Sequence, residues 1–194
     1  YPMEDGVLDH CATQVARFTD LGCVVEGVPA PFAAGALWDS WITLRSYAVA
    51  ASLGPLYDQP ATRAALKDTA IWEIERGRAL SASAVQRASL IRSDWFRAAA
   101  RLFDDFDALV LPTAQCWPFP IDWTWPHGIA GHPMDTYHRW MEVVVPVSLI
   151  GLPSLAVPLP LSDGRPMGLQ LIGRSRGDLG LLQLGQGWQA LNAA

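Results

Sequence analysis

The 194 residues are 51% hydrophobic and 17% charged, with a formal net charge of −5. This is ample material for a packed core of ordinary domain size. The scattered lysines and arginines form no run that would mark a nucleic-acid surface. Apolar segments are broken by Pro, Gly or charge well short of the roughly 20 residues a membrane-spanning helix needs, so a soluble chain with no membrane partner is expected.

The opening, YPMEDGVLDHC, has no basic region leading into an apolar run and so is not a signal peptide. It also lacks an initiator Met, and we expect it to start inside a longer gene product. Cys11, Cys23 and Cys116 are odd in number and widely separated. They fit a reducing, cytoplasmic setting and read as small core residues.

Leu8, Cys11, Val15 and Phe18 recur at helical spacing and predict a helix over residues 7–21, stopped at Gly22. A short strand is expected over 23–28, ended by Pro29 and Pro31. Residues 32–53, rich in Ala, Leu and Trp, predict a helix closed by Gly54-Pro55. A shorter helix is expected over 66–80. Ser83 and Gln86 have the spacing of a capping box for the next helix, in which Ala88, Ile91, Trp95, Ala99 and Phe103 follow at steps of three or four. That helix should run to about Asp104.

Residues 108–111 are a continuous apolar run ended by Pro112, the pattern of a strand buried on both faces. Residues 113–133 then hold Pro118, Pro120, Pro126 and Pro133 with Trp117, Trp123 and Trp125 and no periodicity: a long loop, of a length that is often functional. A helix over 134–145 would put Tyr137, Met141 and Val144 on one face. Buried strands are expected over 155–161 and 167–172, joined by a turn at Ser162-Asp163-Gly164-Arg165. A last helix starts at Asp178.

Three segments carry a resemblance: DALVLPTA at 107–114, VPVSLIGLPSLAVPLPL at 145–161, and GRPMGLQLIGRSRGDLGLLQLG at 164–185. In this order and at these separations they resemble the C-terminal third of amidase signature enzymes, and PMEDGVLDHC is similar to the helix start that follows the catalytic half of those enzymes. The resemblance implies an α/β fold, a mixed β-sheet flanked by helices, with residues 1–194 forming the C-terminal part of a single amidase domain. It implies hydrolysis of a carboxylic amide C–N bond through an acyl-serine intermediate.

In that family the nucleophilic Ser, a cis-configured Ser and a Lys sit in a Gly/Ser-rich signature upstream of this region. No such run occurs here. The only lysine is Lys67, with no Ser-Ser pair beside it. No catalytic residue is therefore assigned to the chain, and the isolated chain is expected to be inactive. Its expected role is scaffold and substrate pocket, without a cofactor. Its expected partners are a small-molecule amide and the N-terminal catalytic half of the same enzyme, and a homodimer is compatible with the sequence. The alternative is a non-catalytic amidotransferase-like subunit or assembly fragment.

Other chemistries fit the chain less well. Gly173-Arg174-Ser175-Arg176-Gly177 matches the Gly-x-Ser-x-Gly elbow, but His10, His127, His132 and His138 all precede Ser175, against the chain order of α/β-hydrolases. His127, His132, Asp135 and His138 crowd one stretch, yet the two closest histidines straddle Pro133 and no second ligand pair accompanies them. Cys116 lacks an identifiable orienting partner.

Loops beyond the carboxyl ends of strands in open α/β sheets face the ligand crevice. Trp117, Phe119, Trp123, Tyr137, Trp140 and Met141 are accordingly the candidate substrate contacts, and the resemblance places the stretch after Pro-Thr and the helix before Gly-Leu-Pro around the pocket. Trp72 is a further candidate. Similar subunits that generate glutaminyl-tRNA place a basic group near Trp72 and an acid near Met141, so a Trp and a Met there favour an apolar or aromatic amide over an amino acid. A chain lacking half of a shared sheet should also present exposed apolar area.

Overall fold

The computed structural model describes residues 1–193, and Ala194 lies outside them. In chain order the helices are α1 (Val7–Ala16), α2 (Ala34–Tyr57), α3 (Pro60–Arg63), α4 (Asp68–Arg78), α5 (Ala82–Leu102), α6 (Val145–Ile150) and α7 (Asp178–Ala193). The strands are β1 (Ala108–Pro112), β2 (Gly128–Ile129), β3 (His132–Pro133), β4 (Ser154–Pro158) and β5 (Gly168–Gly173). The chain divides into two compact units, one formed by Tyr1–Pro31 with the residues from Ala99 onward, the other by Phe32–Ala98. Among the described residues no helix is long and apolar enough to cross a membrane.

The first unit is built on a three-stranded antiparallel sheet in the order β1-β5-β4. Every residue of the central strand β5 is buried. Leu169 and Leu171 join one core with Val7, Cys11, Phe18, Trp117, Val157, Leu181 and Trp188. Gln170, between those two leucines, points to the opposite face by the period of two along a strand.

Helix α7 lies close on this sheet because glycines permit it. A Cβ on Gly173 would meet Leu181 Cγ at 2.9 Å, and one on Gly185 would meet Leu155 Cδ2 at 2.3 Å. Trp188 is sealed in by stacking on Phe18 at 4.7 Å, and its indole N–H donates to the Pro158 carbonyl at 2.9 Å. The tip of the β4–β5 hairpin is a Ser162-Arg165 bridge with φ of 50° at Asp163 and 77° at Gly164. Two successive left-handed residues of Asp-Gly type match the right-handed twist of the strands.

Several sequence expectations are corrected. Residues 23–28 form no strand. Cys23 donates its N–H to Phe18 and packs on the core, and the chain then runs on without regular structure. Strand β1 is half-buried rather than buried on both faces, since within this sheet only β5 pairs with it. The cap of α5 is Ser81, whose hydroxyl accepts the Ala84 N–H at 3.2 Å, and Ser83 instead lies 3.0 Å from the Ser81 hydroxyl.

The single helix expected over 134–145 is a 3-10 turn at Arg139–Val144 followed by α6. Pro146 offers no N–H to the Glu142 carbonyl, so the bonding tightens to the Val145 N–H before the α-helix begins. Gly151, at φ 63°, ends α6 as the sequence suggested.

In the second unit α2 continues through Gly54-Pro55 for one more turn. Pro55 deprives one carbonyl of its donor, but Arg78 of α4 holds that turn: its guanidinium donates to the Gly54 carbonyl at 3.3 Å and to both Asp58 carboxylate oxygens at 2.8 Å. The ring of Tyr57 lies under Arg63 at 4.1 Å and Arg78 at 4.9 Å, and its hydroxyl donates to Glu75 at 2.6 Å. Glu73, buried on α4, pairs with Arg45 of α2 at 2.5 Å.

The two helices touch most closely at Gly77, where a Cβ would sit 2.1 Å from the Ser46 carbonyl oxygen and 2.6 Å from the Ala50 methyl. Backbone cannot yield as a side chain can. Gly77→Ala is therefore expected to lower the urea unfolding free energy by about 1–3 kcal/mol, whereas Gly185→Ala, opposed only by the tip of Leu155, should cost less. Equilibrium unfolding followed by far-UV circular dichroism compares the two, and equal losses would contradict the account of the α2–α4 crossing.

Candidate functional site

Strand β1 ends at Pro112 in the first unit, and the chain then leaves the sheet. It returns at Val143, 0% exposed. Two buried glutamines close the base of this excursion. The Gln170 amide nitrogen on β5 donates to the Pro112 carbonyl at 2.9 Å and to the Val143 carbonyl at 3.1 Å, so it clamps both ends of the loop. Gln115 accepts the Val143 N–H at 3.1 Å and donates to the Pro2 carbonyl at 3.0 Å. Thr113 is tied back to the Gly168 carbonyl by its N–H at 3.0 Å and its hydroxyl at 3.1 Å. Gly168 permits this approach, since a Cβ there would meet Thr113 Oγ1 at 2.9 Å.

On this base stands a continuous run of rings. Trp140 meets Phe119 edge-on at 5.3 Å, and Phe119 stacks with Trp123 at 6.5 Å. His127 lies 6.3 Å from Trp123 and 6.0 Å from Trp125. Trp125 stands perpendicular to Tyr137 at 6.3 Å, and Tyr137 meets His138 at 5.2 Å. Beneath lies a small core of Cys116, Ile129 and Met134, against which Phe119, Trp125 and Trp140 pack.

The β2–β3 hairpin braces the run. Its turn residues Ala130 and Gly131 have φ of 48° and 76°. The Met134 N–H donates to the His127 carbonyl at 2.9 Å, and its carbonyl accepts the Trp125 indole N–H at 3.2 Å. Trp123, 46% exposed, and Tyr137 present open faces. Met141 is half-buried on the 3-10 turn, its N–H bonded to the His138 carbonyl at 3.0 Å.

The structure thus brings Phe119, Trp123, Tyr137 and Trp140 together, with Met141 beside Trp140 in sequence. Trp117 goes elsewhere, into the core of the sheet. Its indole N–H donates to the Asp5 carbonyl and its backbone N–H to the Glu4 carboxylate, both at 3.0 Å, while Arg165 covers its ring at 4.1 Å. Trp72 belongs to the second unit, on α4, with Arg76 5.7 Å from its ring.

The residues missed by sequence reasoning are Gln115, Gln170 and Trp125. Gln170 left a signal, because a carboxamide inside an otherwise apolar strand must find partners. Gln115, one residue after Ala114 of the Pro-Thr-Ala segment, left none.

The charged groups here are paired. Arg139 donates to both oxygens of Asp135, at 3.0 and 3.3 Å, and lies 3.4 Å from Glu142. Its hydrogen bonds hold the Asp135 carboxyl below its ordinary range. Burial pushes the Glu142 carboxyl up, against the pull of Arg139. Burial also pushes the thiols of Cys11 and Cys116 up to about 11, so both are thiols at neutral pH.

Ser175 lies exposed in the turn between β5 and α7. The left-handed residue of that turn is Arg176, at φ 64°, whereas a nucleophile elbow strains the serine itself. Among the described residues no group of three or more His, Cys, Asp or Glu is placed to hold a metal ion.

The family model for amidases matches residues 12–182. The chain belongs to the amidase family. Its likeness to a solved bacterial aryl acylamidase of the amidase signature family extends over 92% of this chain and 39% of that one, at 27% identity and a TM-score of 0.80. A second solved amidase is matched over 98% of this chain and 42% of its own, with a TM-score of 0.83 at 21% identity, a likeness of fold. The glutamyl-tRNA(Gln) amidotransferase GatA-type polypeptide of Roseiflexus sp. (strain RS-1) is 36% identical over 108 residues, which are 55% of this chain and 20% of the relative. The chain therefore spans about two-fifths of the solved relatives, and its match covers a fifth of the curated one. The α/β fold class expected from the three motifs is that of these neighbours.

Two measurements check the site's construction. Gln170→Leu keeps the volume but strips the Pro112 and Val143 carbonyls of their donor in a buried place, and should cost about 1–3 kcal/mol in chemical denaturation; an unchanged midpoint would contradict the clamp. For Glu142 the folded state holds the proton more tightly than the unfolded state. Its contribution to stability is thus full below the ordinary carboxylate range and is lost as pH rises through the elevated folded value. Thermal unfolding scanned from acid to neutral pH should show this fall in the wild type and less of it in Glu142→Gln.

Proposed function

We propose that this chain supplies the scaffold and the substrate-facing wall of an enzyme that hydrolyses the C–N bond of a carboxylic amide. Under this reading the acyl-serine chemistry belongs to a part of the protein that precedes these residues, and the side chains of this chain make no covalent step. The observation that carries it is the ring run Trp140–Phe119–Trp123–His127–Trp125–Tyr137, held on a rigid base within a chain of the amidase family.

Membership supplies the reaction class, and the ring run supplies a substrate class: apolar or aromatic amides. An aryl group laid against Trp123 or Tyr137 gains edge or offset contacts of about 0.5–1.5 kcal/mol per ring pair beyond its burial. The likeness to an aryl acylamidase over nearly the whole chain points the same way. Phe119, Trp123, Tyr137, Trp140 and Met141 would orient the acyl or leaving group. Trp117 would act from the core by fixing the start of the loop, and Trp72 would present an aromatic face from its own unit.

The identity with the amidotransferase polypeptide favours a second reading, a non-catalytic amidotransferase-like piece that packs against a partner. Co-expression with the segment encoded upstream separates the two: restored turnover of amides supports the first, and a stable complex without turnover supports the second. The isolated chain should not label stoichiometrically with a serine-directed fluorophosphonate, and labelling at Ser175 would overturn the assignment. In the active complex, Trp123→Ala and Trp140→Ala should lower kcat/KM for aryl amides about tenfold or more relative to short aliphatic amides, a difference of about 1.4 kcal/mol. Equal effects on both substrate types would remove the ring run from the pocket.

A further inference from the structure

Residues 23–28, Cys-Val-Val-Glu-Gly-Val, have the composition of a strand, with β-branched Val24, Val25 and Val28 and prolines beyond at 29 and 31. They nevertheless stand outside every sheet of the structure. After the Cys23 N–H, which bonds the Phe18 carbonyl at 3.2 Å, the backbone of residues 24–28 makes no backbone–backbone hydrogen bond among the described residues. Val24 is 85% exposed, Val28 43% and Val25 41%, while Cys23 packs on the core of the first unit. An unpaired, valine-rich segment beside a core is a template for another strand.

The family match indicates what covers it. The segment lies within residues 12–182, which match the amidase family, so it belongs to the family's fold and is not an appended tail. The chain covers only 39% and 42% of the two solved relatives, which leaves about three-fifths of such a fold outside it.

We propose that residues 23–28 are a strand that forms on contact with the amino-terminal part of the enzyme, adding to a sheet edge there through main-chain hydrogen bonds. In a strand, the period of two would put Cys23 and Val25 on the face already turned to the core of this unit. Val24 and Val28 are then left to be buried by the partner, and Glu26 lies between them. The inference rests on the reading that a nucleophile-bearing segment precedes this chain, and it names the element that fastens the two parts together.

The test uses the chain alone and the chain co-produced with its upstream segment. Hydrogen exchange at residues 24–28 should be fast in the isolated chain and about a hundredfold slower in the complex. Val24→Pro and Val25→Pro remove N–H groups that point to opposite edges of a strand. At least one should cut recovery of the complex tenfold, with Val24→Ile and Val25→Ile recovering like wild type. Neither proline should change the circular dichroism of the isolated chain, which makes no backbone hydrogen bond through those amides. Exposed amides at 24–28 in a complex that hydrolyses amides would overturn the strand and leave the proposed function standing. Protected amides in a complex without turnover would support the strand and count against the function. Protection in the isolated chain that rises with its concentration would overturn the proposal in favour of a second copy as the partner.

Discussion

The carboxamide of Gln170 is the interaction on which the rest of the first unit depends. It sits on the fully buried strand β5 and binds the carbonyls at which the aromatic loop departs and returns, Pro112 and Val143. Closing a loop of this length costs roughly 3 kcal/mol of chain entropy. Gln170 and Gln115 together make three hydrogen bonds at its base, each worth about 1 kcal/mol net. The closure cost is therefore of the size that the two glutamines offset, and the ring contacts above are then free to rigidify the loop. The arrangement is also brittle, because a buried carbonyl that loses its donor costs more than the hydrogen bond contributed.

The same strand explains why the motif Gly-Leu-Gln-Leu-Ile-Gly can identify a fold without identifying a reaction. Gly168 is small because Thr113 and the Val157 carbonyl approach it, and Gly173 is small because Leu181 of α7 lies against it. The leucines fill the core beneath α7, and the glutamine clamps the loop on the opposite face. Each position has a packing or hydrogen-bonding reason, and none is a nucleophile or a base. A chain can thus carry the scaffold of the amidase family at full strength while the residues that would break an amide bond lie outside it.

How much was legible follows from how local each determinant is. The hairpin of β4 and β5 announced itself through apolar runs around an Asp-Gly turn, and α5 through apolar residues at steps of three and four. The helix stops at Gly22 and Gly151 were equally local. What was not legible depended on partners distant in sequence. Trp117 and Trp123 stand six residues apart in one aperiodic loop, yet Trp117 is drawn into the core by Glu4 and Asp5, while Trp123 stays in the ring run. The β2–β3 turn was hidden because Ala130 accepts a left-handed conformation that its residue type disfavours. The 3-10 turn before α6 was hidden because periodicity reads side chains, and its cause is the missing N–H of Pro146.

Electrostatics narrows the substrate class that the ring run would serve under the proposed function. A pocket for an amino acid needs a cation to meet the carboxylate, and a charged partner in a partly buried site must be available rather than already spent. Arg139, the cation on the segment that carries Tyr137, Trp140 and Met141, is engaged by Asp135 through two hydrogen bonds and by Glu142 through a third contact. To bind a substrate carboxylate it would have to release one of these, leaving Glu142, whose carboxyl burial already disfavours as an anion, without its counter-charge. An uncharged aromatic amide makes no such demand. It needs only faces and edges, and Phe119, Trp123, Tyr137 and Trp140 offer both.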